Sequence, residues 1–315
     1  MKTIMNKLLR YGLLLIILVL PTACNDWNGP EPVNLDINSA KDQNPELWAR
    51  YMKVLHTYKQ SKHYITYARF DNSIEEPVNE GSYLRSLPDS LDIVTLSSPD
   101  KISDYDLEDI PLLQEKSIRV LYLIDFTAQE TTFTDIAAWG IWLDKAVATV
   151  NELKLDGFAF TGTPLYSGTD AELAAHKEKS RLMVSKLSAA AGQNKLLVLE
   201  GNPAFVDDVD LDKLNYVVLN TADLTNVTDL KLQIAGVLAN DKLPKDKLLL
   251  AARIGEQMTN ETSIKQDAVT LMTDRVASLG LLGGLGIYAI GGDYYSSKMN
   301  YEITRTAIQQ MNPSK

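Results

Sequence analysis

The chain has 315 residues, a formal net charge of −10, a single cysteine and 45% hydrophobic residues. One cysteine excludes an intramolecular disulfide, and the acidic balance argues against nucleic acid or anionic lipid as a partner. A chain of this length can bury one large core, and its acidity is compatible with a neutral ligand such as a sugar.

Residues 1–23 carry Lys2, Lys7 and Arg10, followed by an apolar run from Tyr11 to Leu20. That run is too short to span a bilayer, and with the small residues Thr22-Ala23 behind it, it reads as a cleaved secretory signal. The next segment, Leu20-Pro21-Thr22-Ala23-Cys24, resembles the lipobox of bacterial lipoproteins, with Pro21 in place of the usual aliphatic residue. The resemblance implies that Cys24 is lipidated and becomes the mature N-terminus. Removal of residues 1–23 takes the formal charge from −10 to −13. Residues 24–44 are rich in Asn, Asp, Pro and Gly and read as the lipidated cysteine with a flexible tether. Asp26 is similar to the acidic surface-export signals of Bacteroidetes lipoproteins. The expected location is therefore the outer membrane, lipid-anchored at the cell surface, with residues 45–315 as the globular domain.

Glu46 to Tyr58 has apolar residues at Leu47, Tyr51, Val54, Leu55 and Tyr58, a helical stripe. Eight short runs rich in β-branched and aromatic residues follow: Tyr64–Phe70, Asp92–Leu96, Arg119–Ile124, Gly157–Thr161, Leu196–Leu199, Tyr216–Leu219, Leu248–Ala251 and Gly286–Ile290. Amphipathic stretches separate most of them, notably 136–153, 171–190, 230–238 and 263–279. Near-continuously apolar strands alternating with helices predict a parallel sheet covered by helices, and eight units predict a (β/α)8 barrel. The competing architecture is an open doubly wound sheet. The glycine-rich turn expected of a dinucleotide-binding sheet is missing after the first strand, and Gly283-Gly284-Leu285-Gly286 reads as the tight turn leading into strand eight.

In such a barrel the site lies at the C-terminal strand ends. The candidates are Asp71 and Asn72 after strand one, Ser97 and Ser98 after two, Asp125 after three, and Thr161 and Thr163 after four. Glu200 and Asn202 follow strand five, Asn220 six, Arg253 and Glu256 seven, and Asp293, Tyr294 and Tyr295 eight. Amides and carboxylates facing hydroxyls, with aromatic rings facing C–H groups, make a surface suited to sugars. The same residue types also cap helices and turns, and Ser97-Ser98-Pro99-Asp100 reads equally well as a turn alone.

Lys154-Leu155-Asp156-Gly157-Phe158 resembles the start of the signature strand of glycoside hydrolase family 18, the chitinases and endo-β-N-acetylglucosaminidases: Asp-Gly-x-Asp-x-Asp-x-Glu. The tether, the segment Tyr58-Lys59-Gln60-Ser61-Lys62-His63 and the ending Asn300-Tyr301…Arg305…Met311-Asn312-Pro313 are similar to the Bacteroidetes lipoprotein branch of that family. The resemblance implies a substrate-assisted mechanism, in which the final Glu protonates the glycosidic oxygen and the Asp two residues before it orients the substrate N-acetyl group. Here Asp156 takes the first Asp position, Ala159 the second, Thr161 the third and Thr163 that of the Glu. No acid occurs anywhere from Gly157 to Ser167. A threonine hydroxyl cannot serve as general acid near neutral pH, and losing a positioned acid costs about 10²–10⁴ in rate. Asp156, at the start of the strand, reads as structural.

The expectation is a non-catalytic barrel that captures N-acetylglucosamine-containing glycans, for an outer-membrane glycan transporter, with Thr161, Thr163, Asp125, Glu200, Asn202, Asn220, Asp293, Tyr294 and Tyr295 as ligand contacts. An alternative is an active glycosidase with relocated acids, for which Glu200, Asp125 and Asp293 are the candidates. A further alternative is a structural or assembly lipoprotein that docks a protein partner, with the cleft filled by its own side chains. No cofactor is called for: the phosphate-loop pattern is absent, and His56, His63 and His176 lack metal-ligand spacing and do not fall at the rim where a Ser-His-Asp triad would need one. Trp139 and Trp142, three apart on a helix, read as core packing.

Overall fold

The computed structural model describes residues 40–72 and 77–313. Cys24, the leader and most of the tether lie outside the described residues. The chain divides into two compact units, 1–50 and 51–315. The first has one described helical turn, Ala40–Gln43, ahead of helix α1, Pro45–Gln60. Among the described residues no helix is long and apolar enough to cross a membrane.

The second unit is a closed parallel barrel. Its strands are β1 (Ile65–Phe70), β2 (Ile93–Leu96), β3 (Arg119–Ile124), β4 (Gly157–Gly162), β5 (Leu196–Gly201), β6 (Tyr216–Leu219), β7 (Leu248–Arg253) and β10 (Gly284–Tyr288). Around the ring they run β1-β10-β7-β6-β5-β4-β3-β2. Between β7 and β10 the chain forms a small antiparallel hairpin, β8 (Gln257–Thr259) with β9 (Lys265–Asp267). Flanking helices are α2 (Asp104–Glu115), α3 (Phe126–Thr132), α4 (Ile136–Glu152), α5 (Asp170–Ala191), α6 (Val227–Leu238), α7 (Ala268–Leu279) and α8 (Glu302–Met311). The connections after β1 and β5 carry only 3₁₀ turns.

Strand period two divides the core into two shells. Phe158 and Phe160 of β4 pack outward with Trp139 and Leu143 of α4 and Met183 and Leu187 of α5. Ala159 points inward with Tyr67, Leu121, Val198, Val218, Leu249 and Tyr288. Trp139 is fully buried, stacks on Trp142 at 5.3 Å and donates its indole N–H to the Lys179 carbonyl (3.2 Å), so this pair is core.

Several boundaries differ from the sequence reading. β5 and β7 each run two residues further, which places Glu200 and Arg253 within strands rather than after them. The stretch 263–279 is helical only from Ala268, because residues 265–267 pair with β8. Gly284 and Gly286 belong to β10 itself. Gly284 opens that strand with φ +153°, and a Cβ there would lie 1.9 Å from the Ile65 carbonyl oxygen. Gly157 plays the same part at the start of β4: φ is +152° and a Cβ would lie 2.1 Å from the Leu196 carbonyl oxygen. Only glycine permits so close a strand approach.

Candidate functional site

Beside Gly157, the Asp156 carboxylate accepts from the Val120 backbone N–H (2.9 Å), Gln114 Nε2 (2.9 Å) and Arg119 Nη1 (3.0 Å). It pins the start of β4 to β3 and α2. The Asp-Gly pair that opens the motif is thus held by packing at the foot of the barrel.

The other end of β4 faces the mouth. Thr161 Oγ1 donates to Asp125 Oδ1 (3.1 Å) and accepts from the Phe126 N–H (2.9 Å). Asp125 is the N-cap of α3, accepting from Ala128 N–H (3.3 Å). The structure therefore joins Thr161 and Asp125, but in a helix cap: a short hydroxyl at the end of β4 falls back on the neighbouring helix N-terminus. Thr163 lies beyond the strand and is exposed.

Glu200 sits in register with Thr161 on the adjacent strand. Its side chain is only 1% exposed. Tyr67 Oη donates to Oε1, Arg69 Nη2 donates to Oε2, and the Tyr288 hydroxyl also donates to the carboxylate. Thr95 Oγ1 completes the chain, 2.5 Å from Tyr67 Oη. Burial first, and then the negative charge of Glu200, push both tyrosines well above their ordinary pKa, so they stay protonated as donors. Burial alone would lower the pKa of Arg69, but the Glu200 carboxylate outweighs it and the net shift is upward. The Arg69 guanidinium lies 4.5 Å from the Tyr288 ring centroid and that of Arg253 5.9 Å. Thr95, Arg69, Tyr288 and Arg253 occupy one row across β2, β1, β10 and β7. At this level the barrel axis holds a satisfied polar network and the faces of Tyr288 are taken by guanidinium groups.

The remaining rim residues separate. Asp293 is buried and accepts from the Ile303 (3.2 Å) and Thr304 (2.7 Å) N–H groups, so it anchors the start of α8. Asn202 caps a 3₁₀ turn through Ala204 N–H (3.0 Å). Asn72 brackets the Ser98 backbone, accepting from its N–H at 2.7 Å and donating to its carbonyl at 3.0 Å, so those two act as a turn lock. Ser97 is half-buried; Asp71, Asn220 and Glu256 are exposed, and the Asn220 carbonyl accepts from Gln233 Nε2 (2.9 Å). Arg253 approaches Asp223 at 3.5 Å. Tyr294 packs inward against the core, and Tyr295 stands outside it. The polar network around Glu200 was missed in the sequence because Tyr67 and Arg69 read only as members of an apolar strand; their alternation with Ala68 and Phe70 was the available signal.

A closed parallel barrel of eight strands with its polar side chains gathered at the C-terminal strand ends defines a (β/α)8 barrel of the glycosidase kind. The chain belongs to glycoside hydrolase family 18, BT1044-like, whose family model matches residues 28–310. No curated protein matches its sequence. Among solved structures, a selenomethionine Glu→Gln variant of BT1044 superposes with a TM-score of 0.69 at 16% identity, covering 88% of this chain and 96% of that one. The apo endo-β-N-acetylglucosaminidase from Cordyceps militaris gives 0.61 at 18% identity, covering 84% and 96%. A chitinase from Bacteroides thetaiotaomicron gives 0.57 at 12%, covering 79% and 97%. At these identities the likeness establishes the shared fold.

Proposed function

We propose that this protein binds N-acetylglucosamine-containing glycans without cleaving them, as a lipoprotein anchored through Cys24 at the outer cell surface and feeding a glycan transporter. One observation carries the reading: the positions where the family keeps its catalytic acids hold Ala159, Thr161 and Thr163, and the one carboxylate on the barrel axis beside them, Glu200, is held by three donors and closed off from solvent. A variant of the Cordyceps relative is known bound to fucosyl-N-acetylglucosamine-Asn, which supports the ligand class. The exposed rim residues Thr163, Asn220 and Tyr295, with the half-buried Asn202, supply the contacts. Calorimetric titration and a glycan array on the soluble body from Asp26 onward test the binding. Failure to bind any glycan overturns it. Mass spectrometry after incubation with N-glycoproteins tests the absence of cleavage; cleavage abolished by Glu200→Gln establishes a relocated acid instead.

The filled axis also favours a second reading, in which the mouth docks a protein. Co-purification of a partner from cell envelopes, undisturbed by glycan, is its signature.

A further inference from the structure

Among the described residues, the two most exposed aromatic side chains are Tyr166 (78%) and Tyr295 (74%). Both stand on loops that leave C-terminal strand ends, Tyr166 after β4 and Tyr295 after β10. In the ring, β7, β6 and β5 lie between these two strands one way and β1, β2 and β3 the other. The two tyrosines therefore rise from opposite sides of the mouth. Strands about 4.8 Å apart and tilted by about 36° close an eight-stranded ring about 15 Å across. A single sugar ring cannot bridge that width.

Each tyrosine is braced. Tyr295 meets Tyr294 edge to face at 4.8 Å, and Tyr294 packs inward over Gly81, where a Cβ would come within 2.7 Å of it. The Tyr166 loop is fixed at both ends. At its start a Cβ on Gly162 would lie 2.3 Å from the Phe205 ring; at its end Thr169 and Glu172 form a capping box on α5. Aromatic rings held out into solvent on braced loops lose little freedom on binding. Between them, Tyr288 is unavailable as a platform, because Arg69 and Arg253 lie against its ring.

We infer that Tyr166 and Tyr295 are the two stacking platforms of an extended binding site, so that the ligand is an oligosaccharide of several units laid across the mouth and not a terminal sugar inserted along the axis. The inference rests on the glycan-binding reading. Sugar C–H faces pack on such rings, and the acidic chain favours a neutral, chitin-like or N-glycan-core backbone over an anionic one.

The test uses the soluble body and a ladder of chitooligosaccharides and N-glycan fragments from the monosaccharide upward, titrated by calorimetry. Affinity should climb at least about tenfold as the ligand becomes long enough to span both tyrosines. Tyr166→Ala and Tyr295→Ala should each weaken the longest ligand about tenfold while leaving the shortest ligands nearly unchanged. Leu232→Ala, which removes another exposed apolar side chain on α6, is the control and should bind as the parent does. Thermal melts of the variants check that they fold, as expected for exposed positions. Affinity independent of length, or parental binding by both tyrosine variants, overturns the inference while leaving glycan binding intact. Absence of binding by every glycan overturns both.

Discussion

The two ends of β4 have had opposite fates. At the foot, Asp156 and Gly157 keep the family pattern, and each has a mechanical reason to stay: a carboxylate with three donors and a glycine against a neighbouring backbone. At the mouth, Ala159, Thr161 and Thr163 stand where the acids belong, and the surrounding structure has closed around their absence. Scaffold and chemistry share one strand of six residues but are under separate constraints. A motif can therefore survive as a fold signature after its function-bearing half has gone.

The largest expected effect lies at the foot. Gly157→Val combines a backbone dihedral that L side chains rarely adopt with a Cβ 2.1 Å from the Leu196 carbonyl oxygen. Strain and overpacking together should cost about 4 kcal/mol, read as a fall in the urea midpoint. A loss under about 1 kcal/mol would show that the foot is not the rigid half.

Next comes the axis. Glu200→Gln keeps the shape but leaves the largely buried Arg69 guanidinium without its counter-charge. Because Arg69 is 26% exposed, the cost should be about 2–3 kcal/mol, below that of a fully buried pair. If the variant is as stable as the parent, Glu200 is not the structural centre of the mouth and its candidacy as a relocated acid revives.

The contrast explains what could be read in advance. The barrel was legible because eight apolar runs separated by helical stripes admit few other arrangements, and the phase of Phe158 and Phe160 fixed which side of β4 faced inward. The missing acids were legible as plain absences. The role of Glu200 was not, because its partners Tyr67 and Arg69 lie more than 130 positions away in sequence and meet it only through ring closure. Asp293 and Asp125 looked like rim acids because strand ends and helix N-caps share the same residue types; only the backbone N–H groups at Thr304 and Ala128 reveal their work. Tyr166 was passed over because nothing in its neighbours distinguishes an exposed tyrosine from a buried one.

Asp156→Ala removes three hydrogen bonds at the foot and leaves the Val120 N–H without its partner. It should cost about 2 kcal/mol by denaturant unfolding. An equal loss from Thr161→Val at the mouth would erase the distinction between the two ends.

A smaller effect sharpens the same comparison under β1 and β2. Asp92 there does what Asp156 does under β3 and β4: Oδ2 accepts from the Thr66 N–H (2.8 Å), and Oδ1 accepts from Lys59 Nζ (3.1 Å) and faces His63 Nε2 (2.9 Å). Burial lowers the His63 pKa, but the hydrogen bond and charge of Asp92 outweigh it, and Lys59 opposes only in part, so the net shift is upward from 6.5. A histidine with a raised folded pKa adds stability that is full below about pH 6.5 and lost as pH rises through the folded value. The denaturation midpoint should fall modestly above that value, and His63→Gln should remove the fall. An opposite slope would mean that the imidazole is held neutral and that Asp92 does not act as a charged pin.

The smallest stability effect belongs to Thr163, at the position of the family's proton donor. It is exposed and lies beyond the last residue of β4. Thr163→Ala should leave the unfolding midpoint within about 0.5 kcal/mol of the parent. That neutrality separates the two kinds of constraint on the strand: a residue that costs nothing to remove from the fold is free to be selected for what it touches outside it. A several-fold loss of glycan affinity at unchanged stability would place Thr163 in the binding surface. Parental affinity at unchanged stability would leave the mouth end of β4 with no remaining role, and move the binding contacts outward to the loops.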